Sequence, residues 1–313
     1  MTLPPFVDIR EVGMRDGLQI EAPVPLADKL RLLDALAATG VRRIEVTSFV
    51  SPRAVPALAD AEQVAAALHR WPSVKFSALV ASLTGARRSI AAGIPRIEYV
   101  VSMSDEHSRA NTGRTTQDSL ALLPAIVELA HEAAGSVELV LATAWDCPFQ
   151  GRTPPEVVLQ AARQGTDCGA DSLTLADTIG TATPGRVLDL HRRVSEATGI
   201  RIGMHFHNTR GAGLANAVTA VNAGVVQLDA SIGGLGGCPF APGASGNIAT
   251  EELVHMVEDM GVSTGVDLAA MIDAAAEAER IVGRQLPSQV LRAGPRTRTT
   301  SASTNPRSGS LKS

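Results

Sequence analysis

The sequence predicts an α/β protein: a single (β/α)8, or TIM, barrel over residues 1–291 with C-terminal helices, then a disordered basic tail over 292–313. Three observations lead there. Eight short β-rich runs recur along the chain, each followed by an Ala- and Leu-rich stretch with helical spacing. Several of those stretches end in Gly just before the next run, where a helix would stop. The eight units occupy about 235 residues, close to the roughly 250 of a typical closed barrel. An open doubly wound sheet is the alternative, but it would usually carry a Gly-rich phosphate loop after its first strand. This chain reads "GMRDGLQ" there.

In chain order the strands fall near Val7–Gly13, Arg42–Phe49, Lys75–Val80, Arg96–Ser102, Val137–Thr143, Ser172–Thr178, Ile202–Asn208 and Gln227–Gly233. Between them lie helical stretches such as "ADKLRLLDALAATG", "DAEQVAAALHRW", "TTQDSLALLPAIVELAHEAA" and "PEVVLQAARQGTDCG". Gly40, Gly93, Gly135, Gly169 and Gly224 mark helix ends. After the eighth strand come "IATEELVHMVEDMG" and a further helix, Leu268 to Gly283. From Arg292 onward the chain is rich in Ser, Thr, Pro and Arg without apolar periodicity, which predicts the tail.

Composition narrows the function. A net charge of −4 and only 3% aromatic residues argue against nucleic-acid binding and against a membrane surface. No apolar run approaches the roughly 20 residues needed to span a bilayer, and the N-terminus lacks a basic segment followed by an apolar core. Three cysteines, Cys147, Cys168 and Cys238, have no paired spacing, which suits a reducing, cytoplasmic setting. The three lysines are Lys29 in the first helix, Lys75 at the start of the third strand and Lys312 in the tail. None falls at a strand end facing the barrel mouth, which excludes a Schiff-base aldolase and a barrel that uses a modified lysine as metal ligand.

A barrel gathers its chemistry at the C-terminal ends of its strands. Arg15 and Asp16 follow the first strand, and Glu45, Thr47 and Ser48 lie on the second. Asp177 ends the sixth, and His205 and His207 end the seventh. After the eighth comes "GGLGGCPFAPGASGN", with Cys238 inside it and Asn247 at its end. Residues i and i+2 of a strand share a face, so His205 and His207 present two imidazoles together. With Asp16, and Asn247 as a neutral oxygen donor, they make a mixed N/O set for a Lewis-acid cation. Mg²⁺ or Mn²⁺ suits the oxygen donors; Zn²⁺ remains a lesser alternative. Arg15 would stabilise a developing enolate oxygen, or else pair with Glu11 or Glu45. Cys238 would hold or give a proton from a loop able to close as a lid.

These pieces resemble the 3-hydroxy-3-methylglutaryl-CoA lyase family. The resemblance rests on "EVGMRDGLQIE", "IEVTSFVSPRAVP", "ADTIGTATPG", "HFHNTRGAGLANA" and "GGLGGCPFAPGASGNIATEEL", in that order. It covers Val7 to about Leu286. It implies retro-Claisen cleavage of a 3-hydroxy-3-alkylglutaryl-CoA thioester to acetyl-CoA and a 3-oxo acid, acetoacetate for the methyl substrate. That reaction would serve leucine degradation and ketone-body metabolism. The resemblance further implies that Asp16, His205, His207 and Asn247 bind the divalent metal. Arg15 would stabilise the enolate and Cys238 would act as acid/base, with His205 assisting. Glu45 and Asp177 would support catalysis, while Arg15, Gln19, Ser48, Asn111 and Glu251 would contact the acyl-CoA substrate. A homodimer or larger assembly is implied too. His107 and the loop near Trp145 would shape the acyl pocket, which leaves the group at C3 open. The alternative is a metal-dependent aldolase, or a Claisen-condensing acyltransferase of the same superfamily, acting on a 2-oxo acid.

Overall fold

A computed structural model describes residues 3–237 and 246–296. Eight parallel strands close into a barrel: β1 (Asp8–Glu11), β2 (Arg43–Ser48), β3 (Lys75–Val80), β4 (Arg96–Ser102), β5 (Ser136–Ala142), β6 (Ser172–Asp177), β7 (Ile202–Phe206) and β8 (Gln227–Ala230). Around the ring they run β1-β8-β7-β6-β5-β4-β3-β2. The predicted barrel is borne out. The first and last strands are shorter than read, because Val12 and Ser231 already turn the chain into loops at the mouth.

The helices are α1 (Leu26–Ala38), α2 (Ala61–Ala66), α3 (Leu83–Ala91), α4 (Asp105–Thr112), α5 (Thr116–Leu120), α6 (Leu123–Glu132), α7 (Pro155–Asp167), α8 (Pro184–Thr198), α9 (Gly213–Asn222), α10 (Thr250–Asp259), α11 (Leu268–Val282) and α12 (Gln289–Ala293). The long helix read over "TTQDSLALLPAIVELAHEAA" is two, α5 and α6. Pro124 sits in the first turn of α6, where its missing N–H costs nothing, and the helix breaks just before it. Gly40, Gly93, Gly169 and Gly224 take positive φ as expected, but at the end of α6 Ala134 does so instead of Gly135 (φ 53°). Gly135 is there for contact: a Cβ would lie 2.1 Å from the Pro95 carbonyl oxygen.

Strand alternation separates two environments. On β4 the odd-numbered Ile97, Tyr99 and Val101 face the helices and are fully buried. Glu98 on the same strand points inward to Arg10. The apolar shell between strands and helices is the main core, the expected source of most folding stability. After β8, α10 completes the ring, while α11 and α12 add the C-terminal extension. Of the residues read as tail, 292–296 are described: Arg292 lies in the last turn of α12 and pairs with Glu279; residues 297–313 lie outside the described residues. No helix among the described residues is long and apolar enough to cross a membrane.

Candidate active site

The chain leaves β1 through one wide turn, in which the N–H groups of Arg15, Asp16 and Gly17 all donate to the Val12 carbonyl. Such single widened turns recur at functional sites. Here the turn brings two adjacent charged residues, Arg15 and Asp16, into the mouth, both buried. From β7 come His205, still in the strand, and His207 just past it. Their Nε2 atoms are 3.1 Å apart. Asp16 Oδ2 lies 3.4 Å from His207 Nε2 and 3.8 Å from His205 Nε2. The three side chains could hold a metal ion together, as the histidine spacing predicted.

Asn247 reaches the same point from the far end of the segment after β8. Its side-chain amide donates to Asp16 Oδ2 (2.7 Å) and to the Leu235 carbonyl (3.0 Å). The Leu235 oxygen fixes which way the amide faces, because only the nitrogen can donate to it. Among the described residues, Asn247 Oδ1 and His207 Nδ1 are buried without a hydrogen-bond partner. Gly236 permits this close fit: its φ is +117°, and a Cβ there would lie 2.6 Å from the Asn247 nitrogen. Backbone bridging of His207 to Asn247 ties the two donors into one unit.

The donor set fits a divalent cation. Two imidazole nitrogens facing each other beside a carboxylate need a proton or a cation among them, and an unpartnered amide oxygen is adjacent. Burial opposes ionisation of Asp16. Arg15 and the imidazoles nevertheless hold its carboxyl well below the usual range, so it is a ready anionic ligand.

Arg15 bridges Asp16 Oδ1 (2.5 Å) and Glu45 (2.7 Å), not Glu11. Of the two acids named as alternative partners it takes Glu45, and Asp16 is the second acid it holds. Gln19 donates to Asp16 Oδ1 (2.8 Å) from one turn along. Glu45 is fully buried, and burial pushes its carboxyl up in spite of Arg15. Ser48 ends β2 and is buried. Asp177 spends both carboxylate oxygens on backbone N–H groups, Thr181 at 2.9 Å and Ala182 at 3.0 Å, so it braces the turn into α8. Glu251 likewise accepts from the Gly233 N–H (3.1 Å) and steadies the turn after β8. Asn111 is exposed near the end of α4. Cys238 falls in residues 238–245, outside the described residues.

His107 is not on the surface. It is buried in the first turn of α4, with Nδ1 3.0 Å from Ser102 Oγ, which in turn lies 3.0 Å from Thr143 Oγ1. Burial lowers its pKa to about 4, so the ring is neutral at physiological pH. In the loop after β5, the Trp145 indole N–H donates to the Arg186 carbonyl (3.2 Å) and its ring packs on Phe206, which faces the helices. Cys147 is buried in the short ribbon Asp146–Cys147 with Gly151–Arg152.

The sequence reading missed a charged layer below the mouth. Arg10 makes paired hydrogen bonds to Asp229 (2.9 and 2.7 Å) and reaches Glu138 (2.7 Å) and Glu98 (2.8 Å). Asp229 in turn contacts His205 Nδ1 at 3.1 Å. That contact places the Nδ1 proton toward Asp229 and turns Nε2 into the site. The missed signal was alternation: Arg10, Glu98, Glu138 and Asp229 each place a charge at an inward position of a buried strand.

A family model described as HMGL-like matches residues 7–277. Among curated relatives, hydroxymethylglutaryl-CoA lyase YngG of Bacillus subtilis is 40% identical, covering 93% of this chain and 98% of its own. The (R)-citramalyl-CoA lyase of Chloroflexus aurantiacus is also 40% identical, over 92% of this chain and 95% of its own. A solved structure of an HMG-CoA lyase from Acinetobacter baumannii, in complex with coenzyme A and 3-methylmalate, superposes with a TM-score of 0.91 at 39% identity, covering 96% of this chain and 99% of that one.

Proposed function

The chain belongs to the HMGL-like family, and we propose on that premise that it cleaves 3-hydroxyacyl-CoA thioesters as a carbon–carbon lyase of the hydroxymethylglutaryl-CoA lyase type. The observation that carries the reading is the convergence of Asp16, His205 and His207 on one point, with Arg15 beside it. Asp16, His205, His207 and Asn247 would hold the divalent cation, Mg²⁺ or Mn²⁺ in preference to Zn²⁺. Bound there, the cation supplies Lewis acidity to the oxygens of the substrate and eases loss of the tertiary hydroxyl proton.

The protein's own groups account for the rest. Breaking the bond between the hydroxyl-bearing carbon and the thioester's α-carbon leaves a 3-oxo acid and the enolate of acetyl-CoA. Arg15, held by Glu45, would offer N–H donors to that negative oxygen as it forms. The α-carbon then takes a proton, for which Cys238 is the proposed donor. Cys238, as the proposed acid/base, would first take up the hydroxyl proton, and His205, whose nitrogens face the cation site and Asp229, would assist from there. Gln19 and Ser48 would line the substrate's approach, with Asn111 and Glu251 farther out. The relatives that carry the lyase name, and the solved complex with coenzyme A, support a CoA thioester. A second reading has one observation in its favour: the equally similar citramalyl-CoA lyase places a different hydroxyacyl-CoA within the same framework.

The test is one assay of purified protein with Mg²⁺ or Mn²⁺ against a panel of 3-hydroxyacyl-CoA thioesters. Acetyl-CoA and the matching 3-oxo acid should appear, chelation should abolish them, and Cys238→Ser should lower kcat more than it raises KM. Turnover that survives chelation refutes the metal role. Condensation with a 2-oxo acid, and no cleavage, would replace the lyase by a synthase. Sedimentation of the same preparation tests the homodimer or larger assembly.

A further inference from the structure

We propose that Leu79, Val100 and Val140 form the wall that receives the alkyl substituent on C3 of the substrate and sets how long it can be; the inference rests on the lyase reading above. Three observations carry it.

The first is direction. Ser77 on β3 donates to Glu98, and Glu98 on β4 and Glu138 on β5 both reach Arg10 inside the barrel. Leu79, Val100 and Val140 each lie two residues beyond one of these inward positions, so strand alternation points them inward as well. The second is exposure. All three are only partly buried, whereas their outward neighbours Val80, Val101 and Leu141 are essentially fully buried. Solvent therefore reaches these three aliphatic side chains from within the barrel.

The third is topology. In the order β1-β8-β7-β6-β5-β4-β3-β2, β5 stands opposite β1, β4 opposite β8 and β3 opposite β7. The strands that lead into Asp16, His205, His207 and Asn247 thus face the three that carry the aliphatic side chains. An eight-stranded barrel is wide enough inside for about one small ligand. A substrate held through its oxygens at the donor cluster must send another substituent of its reacting carbon across the interior, onto that wall. The three side chains offer no hydrogen bond and no charge, so a carboxylate or ammonium placed there would lose its hydration without compensation.

The experiment measures kcat/KM for the methyl-bearing substrate and for one carrying a longer alkyl group at C3, in the wild type and in Val100→Ala, Val140→Ala and Val140→Leu. A methylene gained or lost in an apolar pocket changes discrimination by about 10–200-fold. The two alanine variants should raise the long-to-methyl ratio by about tenfold or more, and Val140→Leu should lower it. Val101→Ala, on the outward face of the same strand, should leave the ratio alone. Dissociation constants of non-cleavable thioether analogues of the two substrates should move in the same direction as the kinetic ratios. If the wild type cleaves the methyl substrate but none of the three inward variants moves either ratio, the wall is refuted and the lyase reading stands. If the wild type cleaves no 3-hydroxyacyl-CoA, the lyase reading falls and takes this inference with it.

Discussion

Arg10→Met is the perturbation that most directly tests how the barrel interior is held. Arg10 is 1% exposed and faces three carboxylates, Glu98, Glu138 and Asp229, at 2.7–2.8 Å. Methionine is of similar length and fills much of the volume, so the change removes charge more than packing. What remains is three buried acids whose other partners are weaker. Glu138 keeps Thr174 and Gln227 at 2.8 Å each, Glu98 keeps Ser77, and Asp229 keeps His205. Removing one member of a buried ion network costs about 3–5 kcal/mol, because the partners are left unpaired. Set against a total of about 5–15 kcal/mol, that would leave a marginal protein. At about 2–4 °C per kcal/mol for a large domain, the unfolding midpoint should fall by roughly 6–20 °C.

The pH dependence sharpens the test. Burial opposes ionisation of Glu138, yet Arg10, helped by Arg43, holds its carboxyl below the usual range. A carboxyl depressed in the folded state stabilises fully above its unfolded pKa, about 4.3 for Glu, and loses that contribution as pH falls through the folded value. Without Arg10 the buried acids would take up protons instead, so the deficit should be widest near pH 7.5 and should narrow by pH 5. Urea or thermal unfolding followed by circular dichroism at both pH values measures it. Adding Glu98→Gln to Arg10→Met should recover part of the loss. Equal midpoints at pH 7.5, or a gap that does not narrow at pH 5, would refute the reasoning.

Two further outcomes concern buried acids on either side of the strands. Asp229→Asn should weaken metal binding by about 10–100-fold while the far-ultraviolet spectrum is retained, because the side chain sets the ring of His205; an unchanged dissociation constant in a Mn²⁺ titration would remove that role. Glu11 is the opposite pH case to Glu138. Burial pushes its carboxyl up to about 7 even though it accepts hydrogen bonds from the Gly13 and Ile232 N–H groups and the Thr250 hydroxyl. A raised folded pKa favours the protonated form, so wild-type stability should decline as pH rises from about 4.5 to about 7. Glu11→Gln, whose amide oxygen can keep both backbone donors, should flatten that decline, and parallel stability profiles for the two proteins would count against it.

The barrel was legible because its signals are local: alternating strands, helices with an apolar face, glycines at helix ends. The donor cluster was legible for a different reason. His205 and His207 share a strand face by simple alternation, and Asp16 follows a strand whose C-terminal end had to open into the mouth. What the residues alone did not show depends on contacts between distant segments. The widened turn that swings Arg15 and Asp16 inward is set by one carbonyl, Val12. Pro124 divides a helix that periodicity reads as continuous. Asp177 ends a strand at the mouth, but that position alone does not show that its two oxygens accept from the backbone N–H groups of Thr181 and Ala182. The position of Trp145 after β5 likewise does not show that its ring packs on Phe206 of β7, two strands away.

The division of the interior explains how one barrel serves both stability and chemistry. Arg10, Glu98, Glu138 and Asp229 lie inside the strands, where a stable protein has no need of four charges. Apolar residues of similar volume there would hold the fold at least as well. The charges are intelligible as a scaffold with direction. Arg10 orients Asp229 through two parallel hydrogen bonds, Asp229 turns His205, and His205 presents Nε2 to the point shared with Asp16 and His207. Each link has a fixed geometry that a hydrophobic contact would lack. Stability is left to the shell outside the strands, where Leu139, Tyr99 and Phe206 are fully buried against the helices. A substitution in that shell should therefore shift unfolding and leave the donor geometry in place. A substitution in the inner layer should disturb both, because the same side chains support the fold and aim the histidine.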